Sequence, residues 1–189
     1  MNNTTNKNKN NNQIIEKKNQ YPLRIMTQNI QGLNLLSKQD QILQTMSINN
    51  ISIIGLAETK LTDKLSKHIY KNNPNYVAYF NNNNEHPMGT GVGLIFSKEY
   101  ANKIHKVQGY KGRIIYADIY FKGNTKIRII QVYLHANFTG NRIPIEETRT
   151  KLTEYIEDAQ RRNFKLVVMG DFNVNPEKYK KAYHTNGTF

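Results

Sequence analysis

Seven short apolar runs, each bounded by polar or turn-forming residues, set the strongest limit on how this chain can fold. They are Leu23 to Ile30, Ile51 to Ala57, Tyr76 to Phe80, Val92 to Phe96, Arg113 to Phe121, Lys126 to Leu134 and Leu166 to Phe172. Each has the length of a strand and is rich in Ile, Val and Tyr, which fit a pleated, half-buried surface. Two longer segments carry a helical period instead. Ser37 to Asn49 places Ile42, Leu43 and Met46 on one face, and Glu146 to Asn163 places Thr148, Leu152, Tyr155, Ile156 and Ala159 on another. The runs Ile114 to Phe121 and Lys126 to Leu134 flank the polar loop Lys122-Gly123-Asn124-Thr125, which predicts an antiparallel hairpin. Hairpin pairing argues against a purely parallel, doubly wound sheet and points to a layered α+β sandwich.

The rest of the chain frames that domain. Residues 1 to 20 are a polar Asn/Lys-rich segment that buries too little apolar area to offset its ordering entropy, so they are expected to be a disordered tail before a domain over 21–189. Asn81-Asn82-Asn83-Asn84 reads as the same compositional habit set in a surface loop ahead of Pro87. The absence of cysteine excludes disulfides, thiolate zinc sites and a cysteine nucleophile. Lys and Arg number 27 against 14 Asp and Glu, a net charge of +13 that favours a polyanionic partner through counterion release from phosphates. The bland alternative is a basic protein from a lysine-rich proteome. No run reaches the roughly 20 apolar residues of a membrane span, and the N-terminus has no secretory apolar core, so an intracellular protein is expected, with nuclear entry left open.

Polar residues at strand ends are the candidates for chemistry, because there a side chain reaches solvent without burying its charge. Asn29, Glu58, Tyr133 and Asp171 hold such positions. Glu58 directly follows an apolar strand and suits a hard cation that takes oxygen ligands and keeps several waters; the alternative is an ordinary solvated glutamate. Gly170-Asp171-Phe172-Asn173 runs from a buried strand into a carboxylate and an amide. Such a pair can orient a water and hold a phosphate oxygen, or can close an Asx-turn on itself.

Five blocks together resemble the endonuclease/exonuclease/phosphatase superfamily, which includes pancreatic-type deoxyribonucleases, abasic-site endonucleases and the endonuclease domains of non-LTR retroelements. They are Thr27-Gln28-Asn29-Ile30-Gln31-Gly32-Leu33, Leu56-Ala57-Glu58-Thr59-Lys60-Leu61, Gly91-Val92-Gly93-Leu94-Ile95-Phe96, Val132-Tyr133-Leu134-His135-Ala136-Asn137 and Val168-Met169-Gly170-Asp171-Phe172-Asn173. The resemblance implies a four-layer α/β/β/α sandwich and Mg²⁺- or Mn²⁺-dependent cleavage of nucleic acid phosphodiesters. It makes Glu58 the principal metal ligand with Asn29 assisting, and Asp171 the group that orients or deprotonates water. Asn173 and Tyr133 would contact the scissile phosphate, with Arg113, His135 and Asn137 as further substrate contacts. The Glu58-Thr59-Lys60-Leu61 form and the run from Gly112 to Asp118 look most like the retroelement-type endonucleases.

Two departures accompany the resemblance. Gln31 stands where the first motif often carries an acid. Family members close the site with an Asp-His pair after further strands, whereas this chain ends at Phe189 and its last histidine, His184, has no preceding Asp. The domain is therefore expected to be partial and its activity impaired. The competing readings are a catalytically inactive nucleic-acid-binding remnant and a phosphoinositide or sphingolipid phosphodiesterase on the same fold.

Overall fold

The computed structural model describes residues 22–135 and 142–174. Asn137, His184 and the expected tail at 1–20 lie outside them. The elements are β1 (Ile25–Asn29), α1 (Leu36–Ile48), β2 (Ile53–Ala57), α2 (Asp63–Ser66), β3 (Tyr76–Asn81), β4 (Val92–Ser97), α3 (Lys98–Ala101), β5 (Ile104–Tyr110), β6 (Ile114–Tyr120), β7 (Lys126–Tyr133), α4 (Arg142–Arg161) and β8 (Lys165–Asp171). They form two four-stranded sheets, ordered β1-β2-β4-β3 and β5-β6-β7-β8.

Both sheets follow one plan. A parallel edge pair is joined across a long helix, β1 to β2 through α1 and β7 to β8 through α4, and antiparallel strands complete each sheet. A parallel pair needs such a crossover, and here the crossover helices cover the outer faces. Strand alternation divides the apolar residues accordingly. Ile53, Val92, Leu94 and Phe96 of the first sheet meet Ile115, Ala117, Ile119, Ile129 and Met169 of the second. Ile54, Leu56 and Ile95 face Ile42 and Met46 of α1, while Ile114, Tyr116, Ile130 and Val132 face Tyr155 of α4. The layers are therefore helix, sheet, sheet, helix, the four-layer sandwich expected.

All seven sequence-derived strands form within two residues of their expected ends. The structure adds β5, whose signal is weak for a physical reason. It is an edge strand with mostly half-exposed residues, and a bulge between Ile104 and Lys106 interrupts the alternation that would reveal it. Helix α4 starts before Glu146 because Pro144 is compatible with a first turn, where no N–H is needed. The asparagine run is more than a compositional habit. Asn81 accepts from Gly112 N–H (2.7 Å), Asn82 and Asn84 donate to the Asp63 carboxylate (2.9 and 2.7 Å), and Asn83 accepts from Glu85 and His86 N–H.

A buried ion cluster pins α4 to the second sheet. Arg128 on β7 is fully buried; it donates twice to Asp118 on β6 (2.6 and 2.9 Å), and to Asp158 and the Tyr155 carbonyl on α4 (each 2.9 Å). Its guanidinium lies 4.1 Å from the Tyr116 ring centroid. Removing one partner leaves the other as an uncompensated buried charge. Arg128→Met is expected to lose about 3–5 kcal/mol in denaturant unfolding, with much of it recovered by adding Asp118→Leu. Gly55 on β2 faces the second sheet, and a Cβ there would overlap Gln131 Oε1 and Met169 Cε. Gly55→Ala is expected to destabilise by about 1–3 kcal/mol in the same assay, as overpacked cores do.

Candidate active site at the strand ends

The carboxyl ends of the two parallel pairs converge, and the strand-end residues come with them. Asn29 ends β1, Glu58 follows β2, Tyr133 ends β7 and Asp171 ends β8. In register, Asn29 lies beside Ala57 in one sheet and Tyr133 beside Asp171 in the other. Contact across the gap between sheets is made by the Asn29 amide, which donates to Asp171 Oδ2 at 2.8 Å.

The Glu58 carboxylate accepts from Lys60, whose Nζ is 3.0 Å from Oε1, and the Asn29 amide and Tyr133 phenol lie near enough to favour its charged form. Burial pushes the Glu58 carboxyl up, but these hydrogen bonds and the Lys60 charge outweigh burial and hold it below the usual glutamate range. Glu58 and Lys60 both have left-handed backbones, φ 59° and 55°. Such conformations persist only where surrounding bonds over-determine them. Here a belt of backbone hydrogen bonds does so: Gly32 N–H to Glu58 O (2.7 Å), Thr59 N–H to Gly91 O (3.0 Å), Gly91 N–H to Gly112 O (2.9 Å), Tyr133 N–H to Arg113 O (2.8 Å) and Leu134 N–H to Asp171 O (2.9 Å). The site loops of both sheets are thus tied in one series.

Asp171 is oriented from two sides, by Asn29 at Oδ2 and by the Asn173 N–H at Oδ1, 3.0 Å. Strand alternation stops at Asp171: Asn173 has φ 48° and its amide donates to the Leu134 carbonyl at 2.7 Å. The 171–173 segment is therefore an Asx-turn as well as part of the cluster, and the two readings of its sequence coexist. Beside it a cleft of about 630 Å³ opens between Thr27-Gln28-Asn29 and Gly170 to Val174.

Tyr133 and Arg113 close the other side. Burial and the Glu58 charge push the Tyr133 phenol above its ordinary range, so at neutral pH it is a hydrogen-bond donor. The Arg113 guanidinium sits 5.0 Å from the Tyr133 ring centroid. Burial and the nearby Arg113 charge lower the His135 pKa, so this half-buried imidazole is neutral at pH 7. Gln31, in the place where an acid was missed, donates its backbone N–H to Asn29 Oδ1 (3.1 Å) and so helps set that amide.

Two residues escaped the sequence reading. Lys60 lay in a quoted motif without a role, and its contact with Glu58 follows from a left-handed turn that sequence does not announce. Gln131 is fully buried on the face between the sheets, where its Oε1 accepts from Thr27 Oγ1 at 2.9 Å. Its signal was a lone amide inside Ile129-Ile130-Gln131-Val132. The Thr27–Gln131 bond lies two residues below Asn29 and Tyr133, about 7 Å along the strands, and sets the spacing across which Asn29 reaches Asp171.

No three His, Cys, Asp or Glu side chains converge among the described residues. The donor set is one carboxylate, Glu58, beside amides and an open cleft. That set fits a hard cation that keeps most of its water and uses one or two carboxylates plus substrate oxygens, and does not fit a zinc cage.

The family described as Endonuclease/Exonuclease/phosphatase family matches residues 26–187, and the chain belongs to it. Among solved structures, an AP endonuclease, LMAP, from Leishmania major aligns with a TM-score of 0.67 at 15% identity, covering 80% of this chain and 55% of that one. The 3'-5' exonuclease NExo from Neisseria meningitidis aligns at 0.63 and 22%, covering 80% and 58%. The human Nocturnin catalytic domain, solved with a bound sulfate anion, aligns at 0.58 and 18%, covering 82% and 65%. The chain thus spans less than two thirds of the length of each, and at these identities the likeness establishes the fold. No curated protein matched the sequence.

Lys60→Met removes the cation and donor that hold the Glu58 carboxyl down while leaving its burial, so the carboxyl should titrate at higher pH than in the parent chain. Carbon-13 NMR of the Glu58 side chain during acid titration reads this directly; an unchanged midpoint would show that Lys60 does not set it.

Proposed function

We propose that this domain hydrolyses nucleic acid phosphodiesters with Mg²⁺ or Mn²⁺, acting as a DNA endonuclease of the retroelement type. The observation that carries the proposal is the Asn29 amide, which lies beside the β2 end that leads into Glu58 and donates to Asp171 on the other sheet at 2.8 Å, so that both carboxylates gather at one end of the sandwich. The likeness to an AP endonuclease and to a 3'-5' exonuclease supports this substrate class. The net charge of +13 adds to it, because phosphate binding releases condensed counterions.

Glu58, with Asn29, would hold the cation, which supplies Lewis acidity and stabilises charge on the leaving oxygen. The chain's own groups have separate tasks. Asp171, fixed through both carboxylate oxygens, orients the attacking water and accepts its proton. Tyr133 remains protonated and donates to a phosphate oxygen as negative charge develops there. Arg113 and Lys60 place two cations beside that oxygen; the second N–H of the Asn173 amide would donate to the scissile phosphate, and neutral His135 is a further substrate contact. Asn137, two positions after His135 in the sequence, is the remaining substrate contact proposed. The lowered Glu58 pKa keeps the carboxylate ionised further into acid than an ordinary glutamate.

Among the described residues, no helix is long and apolar enough to cross a membrane. The test is a nicking assay on supercoiled plasmid with Mg²⁺. The parent chain should convert it to open circles, chelation should stop the reaction, and Glu58→Gln or Asp171→Asn should each slow it about 10²–10³-fold, as loss of one preorganised polar group does in other enzymes. Salt-sensitive binding without nicking would reject hydrolysis and leave a nucleic-acid-binding remnant.

A further inference from the structure

The end of the sandwich opposite the strand-end cluster is a second concentration of cations and rings. Strand β6 runs from Arg113 beside Tyr133 to Tyr120 at this far end, about 20 Å away. Three segments meet there: residues 98–106, 118–126 and 161–166. The Lys103 carbonyl accepts from Tyr120 N–H (2.9 Å), and Lys126 Nζ donates to the Arg162 carbonyl (2.8 Å). These segments hold eight Lys and Arg against two acids, Glu99 and Asp118. Asp118 is already neutralised by buried Arg128, and Asp158 pairs with Arg161 and Arg162, so the remaining positive excess rests on the lysines.

Rings are interleaved with those charges. The His105 and Tyr120 centroids are 4.8 Å apart at an interplanar angle of 33°, and Tyr120 stacks on Phe164 at 5.9 Å and 27°. Phe164 is buried, Tyr120 half-buried and His105 exposed, so the series runs from the core outwards and ends on an open imidazole face. Lys126 and Arg162 lie 5.2 and 5.0 Å from the Phe164 centroid and anchor its inner end. Lys106, Lys122 and Lys165, on the same three segments, are exposed. Among the described residues none of them pairs with a carboxylate within 4.0 Å, although Lys106 reaches 5.8 Å from the Tyr116 ring.

We propose that this end is a second nucleic-acid contact, separate from the strand-end cluster, which takes single-stranded DNA or RNA. The lysines would neutralise backbone phosphates and His105, backed by Tyr120, would stack an unpaired base. A base stacked on a preformed column orders no flexible side chain, and a π-face accepts any base, so this contact is sequence-tolerant. Duplex offers phosphates but no exposed base face, which is why the partner is single-stranded. The contact is independent of whether the strand-end cluster cuts.

Fluorescence anisotropy of a labelled oligothymidylate against the full chain tests this. Lys106→Glu/Lys122→Glu/Lys165→Glu should weaken binding at least tenfold at low salt, and the plot of log affinity against log salt should become shallower by about two. His105→Ala, which removes the stacking face, should weaken it about tenfold. Folding is checked by the thermal midpoint, and if the triple variant does not fold, His105→Ala with Lys122→Gln carries the test. The same charge change at exposed Lys64, Lys67 and Lys71 should leave most of the affinity. The proposal is overturned if that control weakens binding equally, if the far-end variants bind like the parent, or if the chain binds phosphatidylserine vesicles but not the oligonucleotide. Nicking by the parent chain is scored separately, so failure of the hydrolytic reading leaves this result interpretable.

Discussion

The structure depends on how closely the two sheets approach beneath the strand ends. Gly55 leaves the space that Gln131 and Met169 fill, and Gln131 spans the gap to accept from Thr27. Two residues further along β1 and β7, the same spacing lets Asn29 donate to Asp171 from the opposite sheet. A wider gap would break that bond and separate Glu58 from Asp171. A polar bridge in an apolar interface is a demanding choice, because an unmet donor there goes without water. It also specifies one registry, whereas apolar packing alone tolerates several.

The electrostatics divide the molecule into three zones with different physics. Under α4, Arg128 and Asp118 satisfy each other in a dry layer and act on stability. At the strand ends, Glu58 faces Lys60 and Tyr133, and hydrogen bonding outweighs desolvation to keep the carboxylate ionised. At the far end the lysines are solvated and largely uncompensated, so they act through the field they project. The net charge of the sequence conceals this division, because it adds a buried arginine to a surface lysine as though they did the same thing.

Much of the fold was legible because most strands are buried on at least one face and therefore read as apolar runs, and α1 and α4 each present a stripe to a sheet. β5 was not, since an edge strand buries little and its bulge breaks the period. Asn81 to Asn84 misled for the opposite reason: a low-complexity run ordinarily lacks defined partners, but Asp63, Gly112 and the following turn supply them here. At the site, Asn29, Glu58, Tyr133 and Asp171 were legible as polar residues ending strands. Lys60 was not, because its approach to Glu58 needs two left-handed residues within three positions.

The sequence by itself determined seven of the eight strands, the two long helices, their apolar faces and the family, because periodicity and strand-end motifs are local properties of the chain. It also determined which polar residues had to leave the core. Only the tertiary structure decided which of them meet. Asn29 and Asp171 are 142 residues apart, and Thr27 and Gln131 are 104 apart. No local pattern encodes such contacts, since they depend on the distance between two sheets, which packing at Gly55 and its neighbours sets.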